Sequence, residues 1–314
     1  MAEFGHGFRP VLSLGGMMKA AISRWMRDLS IARHVVAPGN GGARSTPQAI
    51  ETWHSRRPVY TEMKETAQGL CYAPAAGTAN WYPPAMIGAA ALGRQILRPE
   101  TVADASSLLA SLTPDDYSVF LQNFYAEGLR RFEKTWGYAD IVTVLLVLAQ
   151  HVGPRNYLEI GVRRGRSVCA VASRAPACDL VMLDMWVSDY AGMDNPGPSL
   201  VAAELDRIGH IGRRNFVDGN SHETLPAYFA AHPDACFDLI AVDGDHSPDG
   251  AAQDLADVLP RLRLGGAVVF DDVCHPLHPE LSRIWHGMVI EDPRFSCWSC
   301  NDVGYGVAFA IRRW

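Results

Sequence analysis

From about residue 139 onward, short apolar runs alternate with segments of helical periodicity, and this rhythm constrains the fold more than any other feature. An apolar run bounded by turn residues predicts a buried strand, and strands separated by helices predict a parallel sheet. The pattern therefore predicts an α/β domain whose sheet is covered by helices on both faces. The predicted strands are Tyr157–Val162, Leu180–Trp186, Phe216–Gly219, Leu239–Asp243 and Ala267–Asp272, and the helical patterns between and after them are residues 166–175, 199–209, 222–231 and 249–263.

Two further regions flank this alternation. The tail predicts a closing antiparallel pair at Phe295–Trp298 and Gly304–Ile311. Residues 1–135 carry helical patterns without the strand–helix rhythm, including Met17–His34 and a helix that begins with Thr113 as its N-cap. We therefore predict a mainly helical N-terminal extension at residues 1–135, which serves as a cap or for oligomerisation, and a catalytic domain at residues 136–314.

Composition and charge exclude several classes of protein. A net charge of −6 argues against nucleic acid as a partner, because binding phosphates needs clustered Lys and Arg. The longest apolar stretch, Ile141–Ala149, is too short to span a bilayer, and Met1–Pro10 lacks a secretory pattern. The 7 cysteines form no disulfide framework; Cys297 and Cys300 are a single C-x-x-C, with a zinc or redox role as the alternative to two small strand side chains. We expect a reduced, cytoplasmic protein with no membrane partner.

The first predicted strand ends in an acid that is followed by two glycines. Because open α/β sheets bind ligands at the carboxyl ends of their strands, Glu159, Gly161 and Gly165 lie where a ligand is expected. The glycines permit a tight turn and close approach of a ligand to a helix N-terminus. An acid here repels the pyrophosphate of a dinucleotide but accepts a hydrogen bond from a cationic amine, which favours the methionyl part of S-adenosylmethionine over NAD. Asp184, at the end of the second strand, suits the ribose hydroxyls.

Carboxylates and one imidazole gather after the fourth and fifth strands. Burying such charges without a cation is costly, and Mg²⁺ prefers oxygen ligands while keeping positions open for substrate. The sequence therefore predicts a divalent metal with room for two substrate oxygens; helix capping by Asp243 or Asp245 is the alternative. The residues concerned are Asp243, Asp245, His246, Asp271 and Asp272.

Residues from about 139 to 312 resemble the class I S-adenosylmethionine-dependent methyltransferases, in particular the metal-dependent O-methyltransferases that act on catechols and on macrolide sugars. The first-strand pattern of this family, acid-x-Gly-x-x-x-Gly-x-Ser, is met by Glu159, Gly161, Gly165 and Ser167. The resemblance implies a Rossmann-like methyltransferase fold, in which a mostly parallel seven-stranded sheet has an antiparallel last strand and helices on both faces.

The resemblance also assigns roles to individual residues. It implies that Asp184 holds the ribose and that Met185 packs against the adenine. The catechol enzymes carry Lys where this chain has His246, and Asp245 is an addition that leaves open whether it replaces Asp243 as a ligand. The other implied sites are Asn220 and Ser221 beside the adenine, the metal ligands Asp243, Asp271 and Asp272 (Asp243 also beside the cofactor), and the catalytic base His246.

These observations predict a homo-oligomeric O-methyltransferase that uses S-adenosylmethionine and Mg²⁺, or another divalent cation. The expected acceptor is a vicinal diol or a catechol in a small molecule, such as a sugar or another natural-product intermediate, because chelation requires two adjacent oxygens. Three alternatives remain: a cephalosporin-hydroxylase-like oxygenase on the same fold, a metal-independent methyltransferase, and a non-catalytic nucleoside-binding module. If His246 is not the base, His275 and His278 are the next candidates.

Overall fold

The computed structural model describes residues 86–188 and 194–314, together with the backbone of three short strands between residues 65 and 82. These strands form a small antiparallel sheet that the sequence analysis did not predict, because residues 1–135 show helical patterns alone. The helix predicted at Met17–His34 lies outside the described residues. The strands are β1 (Glu65–Thr66), β2 (Gly69–Tyr72) and β3 (Asn80–Tyr82).

Three helices precede the large sheet, namely α1 (Ala89–Ile96), α2 (Pro99–Ser111) and α3 (Asp116–Phe132). Helix α3 begins with a capping box, in which the Asp115 carboxylate accepts the backbone N–H of Ser118 at 2.9 Å and the Ser118 hydroxyl approaches the N–H of Asp115. The predicted N-cap at Thr113 is therefore wrong by two residues. The backbone N–H of Thr113 instead donates to the Glu204 carboxylate at 3.1 Å.

The large sheet has seven strands in the spatial order β6-β5-β4-β7-β8-β10-β9. Its neighbours pair in parallel except for β10, which is antiparallel to both β8 and β9. This arrangement confirms the predicted sheet with its antiparallel last strand. The strands are β4 (Asn156–Ile160), β5 (Asp179–Asp184), β6 (Arg214–Asp218), β7 (Phe237–Val242), β8 (Leu262–Asp271), β9 (Phe295–Cys300) and β10 (Val307–Arg312).

The helices around the sheet follow the predicted pattern with one clear difference. The helix predicted at residues 249–263 stops at Val258, because the chain tightens into a 3₁₀ turn at Leu259–Arg261, which contains Pro260, and then enters β8. A π-helical turn at His286–Ile290 follows the last helix. The helices are α4 (Ile141–Val152), α5 (Arg166–Arg174), α6 (Pro198–Arg207), α7 (Ser221–Ala231), α8 (Pro248–Val258) and α9 (Glu280–Trp285).

The hydrophobic core joins the N-terminal helices to the sheet. Leu92 of α1 and Leu109 of α2 belong to the same buried cluster as Tyr157 of β4 and Phe309 of β10. The described residues thus form one compact unit, while the predicted boundary after residue 135 stays a prediction. Within the described part of the chain, no helix is long and apolar enough to cross a membrane.

Strained backbone is concentrated where the strands end. Of the four non-glycine residues with positive φ in the described chain, three follow parallel strands: Arg163 (φ 49°) after β4, Trp186 (φ 51°) after β5 and Asp272 (φ 57°) after β8. Such conformations cost about 1–3 kcal/mol each and cluster at functional sites. The carboxyl edge of the sheet therefore carries the backbone strain that is typical of a functional site.

Candidate active site

The turn after β4 packs directly on the chain that leaves β7. Gly161 has φ 91°, and a Cβ atom at this position would lie 1.9 Å from the carbonyl oxygen of Asp243. Gly165 has φ 75°, and its Cβ would lie 2.8 Å from Cγ1 of Val201. Only glycine fits at Gly161, since both the dihedral angle and the space exclude a side chain. The turn consequently fixes the position of Asp243 at the edge of the sheet.

Glu159 is fully buried at the end of β4. Its two carboxylate oxygens accept hydrogen bonds from the hydroxyls of Tyr157 and Ser167. Burial raises the pKa of Glu159 to about 8, although both hydrogen bonds act in the opposite direction. The predicted bond from Glu159 to a cofactor amine stays a prediction, because two hydroxyls of the protein already occupy the enclosed carboxyl group.

The Asp184 carboxylate accepts hydrogen bonds from the turns that follow β4 and β5. Its Oδ2 accepts the backbone N–H of Arg163 at 2.7 Å, and its Oδ1 accepts the backbone N–H of Trp186 at 2.6 Å and the side-chain amide of Asn195 at 3.1 Å. A carboxylate offers about four acceptor positions, so capacity for a ribose hydroxyl remains. The adjacent Met185 is 56% exposed, as a side chain that packs against adenine would be before binding.

Asn220 and Ser221 begin helix α7. Asn220 is the N-cap, and its side-chain oxygen accepts the backbone N–H of His222 at 3.0 Å. The Ser221 hydroxyl is buried and donates to Oδ1 of Asp254 in α8 at 2.8 Å. The structure thus places Ser221 in the contact between two helices, and its approach to adenine stays a prediction.

Asp243, His246 and Asp272 form a compact group at the ends of β7 and β8. One potential metal-ligating atom from each of the three lies within 4.8 Å of the other two. Nε2 of His246 is 3.6 Å from Oδ1 of Asp243 and 3.5 Å from Oδ2 of Asp272. This nitrogen is buried and has no hydrogen-bond partner among the described residues. Two carboxylates and an unsatisfied imidazole thus point at one another.

The electrostatics of this group favour a bound cation. Burial raises the pKa of Asp272 to about 7, the Asp243 carboxylate adds to the rise, and His246 opposes it. The pKa of Asp271 also lies well above its usual range, first through burial and then through Asp243 and Asp272. The Asp243 carboxylate raises the pKa of His246 in spite of the burial that would lower it. Carboxylates that resist ionisation together fit a divalent cation, which would relieve their repulsion.

Two other acids of the predicted cluster lie outside this group of three. Asp271 is not among the ligating atoms that come within 4.8 Å of one another, so its predicted ligand role stays a prediction. Oδ1 of Asp245 accepts the backbone N–H of Ser247 at 2.7 Å, and its Oδ2 lies 3.9 Å from Nε2 of His222. Ser247 is the N-cap of α8. The geometry therefore turns Asp245 toward α8 and groups Asp243 with the imidazole.

A row of aromatic rings leads away from His246 along the loop after β8. Ring centroids lie 5.3 Å apart for His246 and His278, 4.9 Å for His278 and His275, and 4.2 Å for His275 and Tyr305. The sequence analysis noted both histidines but missed Tyr305. No local pattern marks Tyr305, because it reaches the site from the turn between β9 and β10.

The segment that carries this site is similar to a known family of domains. A family model described as a methyltransferase domain matches residues 158–273, the segment that contains the turn after β4 and the group at β7 and β8. Residues 158–273, which are 116 of the 314 residues of the chain, are thus similar to a methyltransferase domain.

Several solved structures are similar to the chain. An O-methyltransferase from Bacillus cereus in complex with SAH is 20% identical with a TM-score of 0.45, over 67% of this chain and 97% of that one. The O-methyltransferase TomG from Streptomyces achromogenes, involved in tomaymycin synthesis, is 23% identical with a TM-score of 0.44, over 65% and 92%. CalS11, a TDP-rhamnose 3'-O-methyltransferase of calicheamicin biosynthesis, is 22% identical with a TM-score of 0.43, over 68% and 93%. A search of curated proteins gave no match.

Proposed function

We propose that this protein is a class I S-adenosylmethionine-dependent O-methyltransferase. It transfers the methyl group to a hydroxyl oxygen of an acceptor that carries two adjacent hydroxyls, and it requires a divalent metal such as Mg²⁺. The observation that supports the proposal is the group formed by Asp243, His246 and Asp272 at the carboxyl edge of the sheet. Acceptors of this kind are catechols and vicinal diols of sugars or other natural-product intermediates. Cytoplasmic location and a homo-oligomeric state are further expectations.

Asp243 and Asp272 are the residues that would hold the metal, with Asp271 as a further predicted ligand. A bound divalent cation lowers the pKa of a coordinated hydroxyl and fixes its position. His246 then accepts the hydroxyl proton at Nε2, because this nitrogen lies beside both carboxylates and no described residue occupies it. Because the neutral form of His246 accepts the proton, the rate should rise with pH through the pKa of this histidine in the metal-bound protein.

The donor set argues against the oxygenase alternative. Non-haem iron oxygenases use two histidines and one carboxylate on one face of the metal. The compact group here contains a single histidine, which the proposal uses as the base, and two carboxylates. Oxygen ligands in excess suit magnesium and calcium. These donors therefore support metal-assisted methyl transfer.

The test is transfer of a labelled methyl group from S-adenosylmethionine to catechols and glycosides, with and without Mg²⁺ after removal of metals by a chelator. Asp243→Asn should lower kcat/KM at least about 100-fold, the order expected when a metal that orients the substrate is lost. Asp245→Asn is the matched control, since this acid faces α8, and should change activity less than about threefold. Full activity in excess EDTA contradicts the metal requirement. Equal rates with single hydroxyls contradict chelation of the acceptor.

A second experiment separates a base from a ligand. His246→Ala should lower kcat by about 10²–10⁴, the usual contribution of a positioned base, and should abolish the rise of rate with pH. Its affinity for Mn²⁺, measured by calorimetry, should stay within about threefold of the parent. Loss of Mn²⁺ binding would instead make His246 a ligand, and normal kcat would move the search for the base to His275 and His278.

A further inference from the structure

Three arginines follow the glycine turn of β4 and converge on one carboxylate of helix α3. Oδ2 of Asp115 lies 3.6 Å from Arg163, 3.5 Å from Arg164 and 3.4 Å from Arg166. All four side chains are largely buried, with exposed fractions between 9 and 18%. Good charge-assisted hydrogen bonds measure about 2.7–2.9 Å. One carboxylate that three guanidinium groups share at these longer distances therefore leaves their positive charge incompletely compensated.

The neighbouring acids do not remove the excess of positive charge. Asp194 pairs with Arg164 at 2.8 Å, but Asp194 is exposed to solvent. Glu204 forms an ion pair with Arg207 at 3.2 Å, and not with any of the three arginines. Among the described residues, Arg163 and Arg166 consequently share the Asp115 carboxylate, and Arg163 also donates to the backbone carbonyl of Asp194 at 3.1 Å. Partly buried cations in this position require an anion.

The ring of Tyr117 lies against two of the arginines. The guanidinium carbon of Arg166 lies 4.6 Å from the centroid of the Tyr117 ring, and that of Arg163 lies 5.8 Å from it. The ring is 42% exposed. Burial of its hydroxyl is the main reason that the pKa of Tyr117 is raised to about 12, and the carboxylates of Asp271 and Asp272 add to the rise. The backbone N–H of Arg163 donates to Oδ2 of Asp184 at 2.7 Å, so the arginines lie beside the turn after β5 at the carboxyl edge of the sheet.

We propose that Arg163 and Arg166, stacked on Tyr117, form a carboxylate-binding subsite beside the reacting groups. Guanidinium is planar and presents paired N–H donors that match a carboxylate, which a lysine does not. The proposal rests on the proposed function, since it assumes that cofactor and acceptor meet at this edge. The carboxylate belongs either to the amino-acid end of the cofactor or to an acidic acceptor, such as a catechol that carries an acid group.

Calorimetry on the full chain separates the two sources. SAH carries the amino-acid carboxylate, whereas 5'-methylthioadenosine lacks it. For the acceptor, 3,4-dihydroxybenzoate carries an acid and 3,4-dihydroxybenzyl alcohol does not. Arg166→Gln should weaken the carboxylate-bearing member of one pair about 10- to 100-fold, the range for a charged hydrogen bond, and leave its neutral counterpart within about twofold. Weaker binding of SAH to Arg166→Gln would show that the subsite holds the carboxylate of the cofactor. Weaker binding of 3,4-dihydroxybenzoate would show that it holds the carboxylate of the acceptor.

Controls make the outcome decisive. Arg213→Gln removes an exposed guanidinium that pairs with Asp179 at the opposite end of β5, and should alter neither pair. Arg166→Lys keeps the charge but lacks the paired N–H donors, and should retain only part of the affinity. Unchanged binding of both carboxylate ligands in Arg163→Gln and Arg166→Gln overturns the subsite. Calorimetry with and without Mg²⁺ separates the two proposals, because loss of the metal should weaken both members of the acceptor pair alike, whereas Arg166→Gln should weaken only a ligand that carries a carboxylate.

Discussion

Replacement of Glu159 by glutamine should make the protein more resistant to unfolding at alkaline pH. The carboxyl group is fully buried, with the hydroxyls of Tyr157 and Ser167 on its two oxygens. Its pKa of about 8 means that the folded protein holds this group protonated at neutral pH. Glutamine has the shape of the protonated acid and offers one donor group and one acceptor. The variant should therefore keep both hydroxyl contacts without ever ionising.

The size and sign of the effect follow from the difference between the folded and unfolded pKa. The unfolded chain releases the proton near 4.5, while the folded chain retains it to about 8. Because the folded state binds this proton more tightly, the contribution of Glu159 is complete below pH 4.5 and is lost as pH rises to about 8. The full difference corresponds to about 5 kcal/mol at most, from 1.36 kcal/mol for each pKa step. This is comparable to the whole stability of many domains.

Urea unfolding at several pH values from 5 to 9 measures the effect. The free energy of unfolding of the parent should fall by several kcal/mol across this range relative to Glu159→Gln. Glu127→Gln is the matched control, because Glu127 is exposed and its pKa is lowered to about 2 by hydrogen bonds from Arg130 and Arg131, so it titrates outside the range. Parallel curves for the parent and Glu159→Gln would refute the reasoning and place an ionised carboxylate in the core.

Three further changes test other parts of the edge. Gly161→Ala should lower the melting temperature by several degrees and weaken SAH binding, because the new Cβ meets the Asp243 carbonyl at 1.9 Å; unchanged melting contradicts this. Asp184→Ala removes the acceptor for three hydrogen bonds and should weaken SAH about 10- to 100-fold by calorimetry, and an unchanged Kd would exclude a ribose role. Asp272→Asn introduces a residue that also tolerates the positive φ at this position, and it removes a charge that the Asp243 carboxylate repels. It should raise the metal-free melting temperature and weaken Mn²⁺ binding at least about tenfold, whereas a lower melting temperature would contradict the repulsion.

The sheet could be predicted because its strands are covered on both faces. Leu158 of β4 and Ile240 of β7 are fully buried, and strands buried on both faces are continuous apolar runs that stand out from the helical segments. The small sheet β1–β3 lacked such a signal, since its strands have between two and four residues. Short strands carry too few positions for a pattern to emerge.

The orientation of side chains at the strand ends could not be predicted from order along the chain. Ser221 follows β6 as expected, yet its hydroxyl donates to Asp254 because helix α8 packs against the start of α7. Similarly, Asp115 lies before the alternating region of the sequence, and only the fold brings its carboxylate to the arginines after β4. Contacts between distant segments depend on helix packing, which local patterns do not encode.

Asp243 and Asp245 show why position in the fold decides between residues that the sequence leaves equal. Both are acids beyond the end of β7, separated by Gly244. A Cβ at Gly244 would lie 2.7 Å from Ile160 of β4, so the chain passes closely over the neighbouring strand. Asp243, before this point, faces His246 across 3.6 Å, while Asp245, beyond it, receives the N–H of Ser247. The close passage of the backbone separates the two carboxylates. Only Asp243 lies beside Asp272, which follows β8, in the group that can hold a metal.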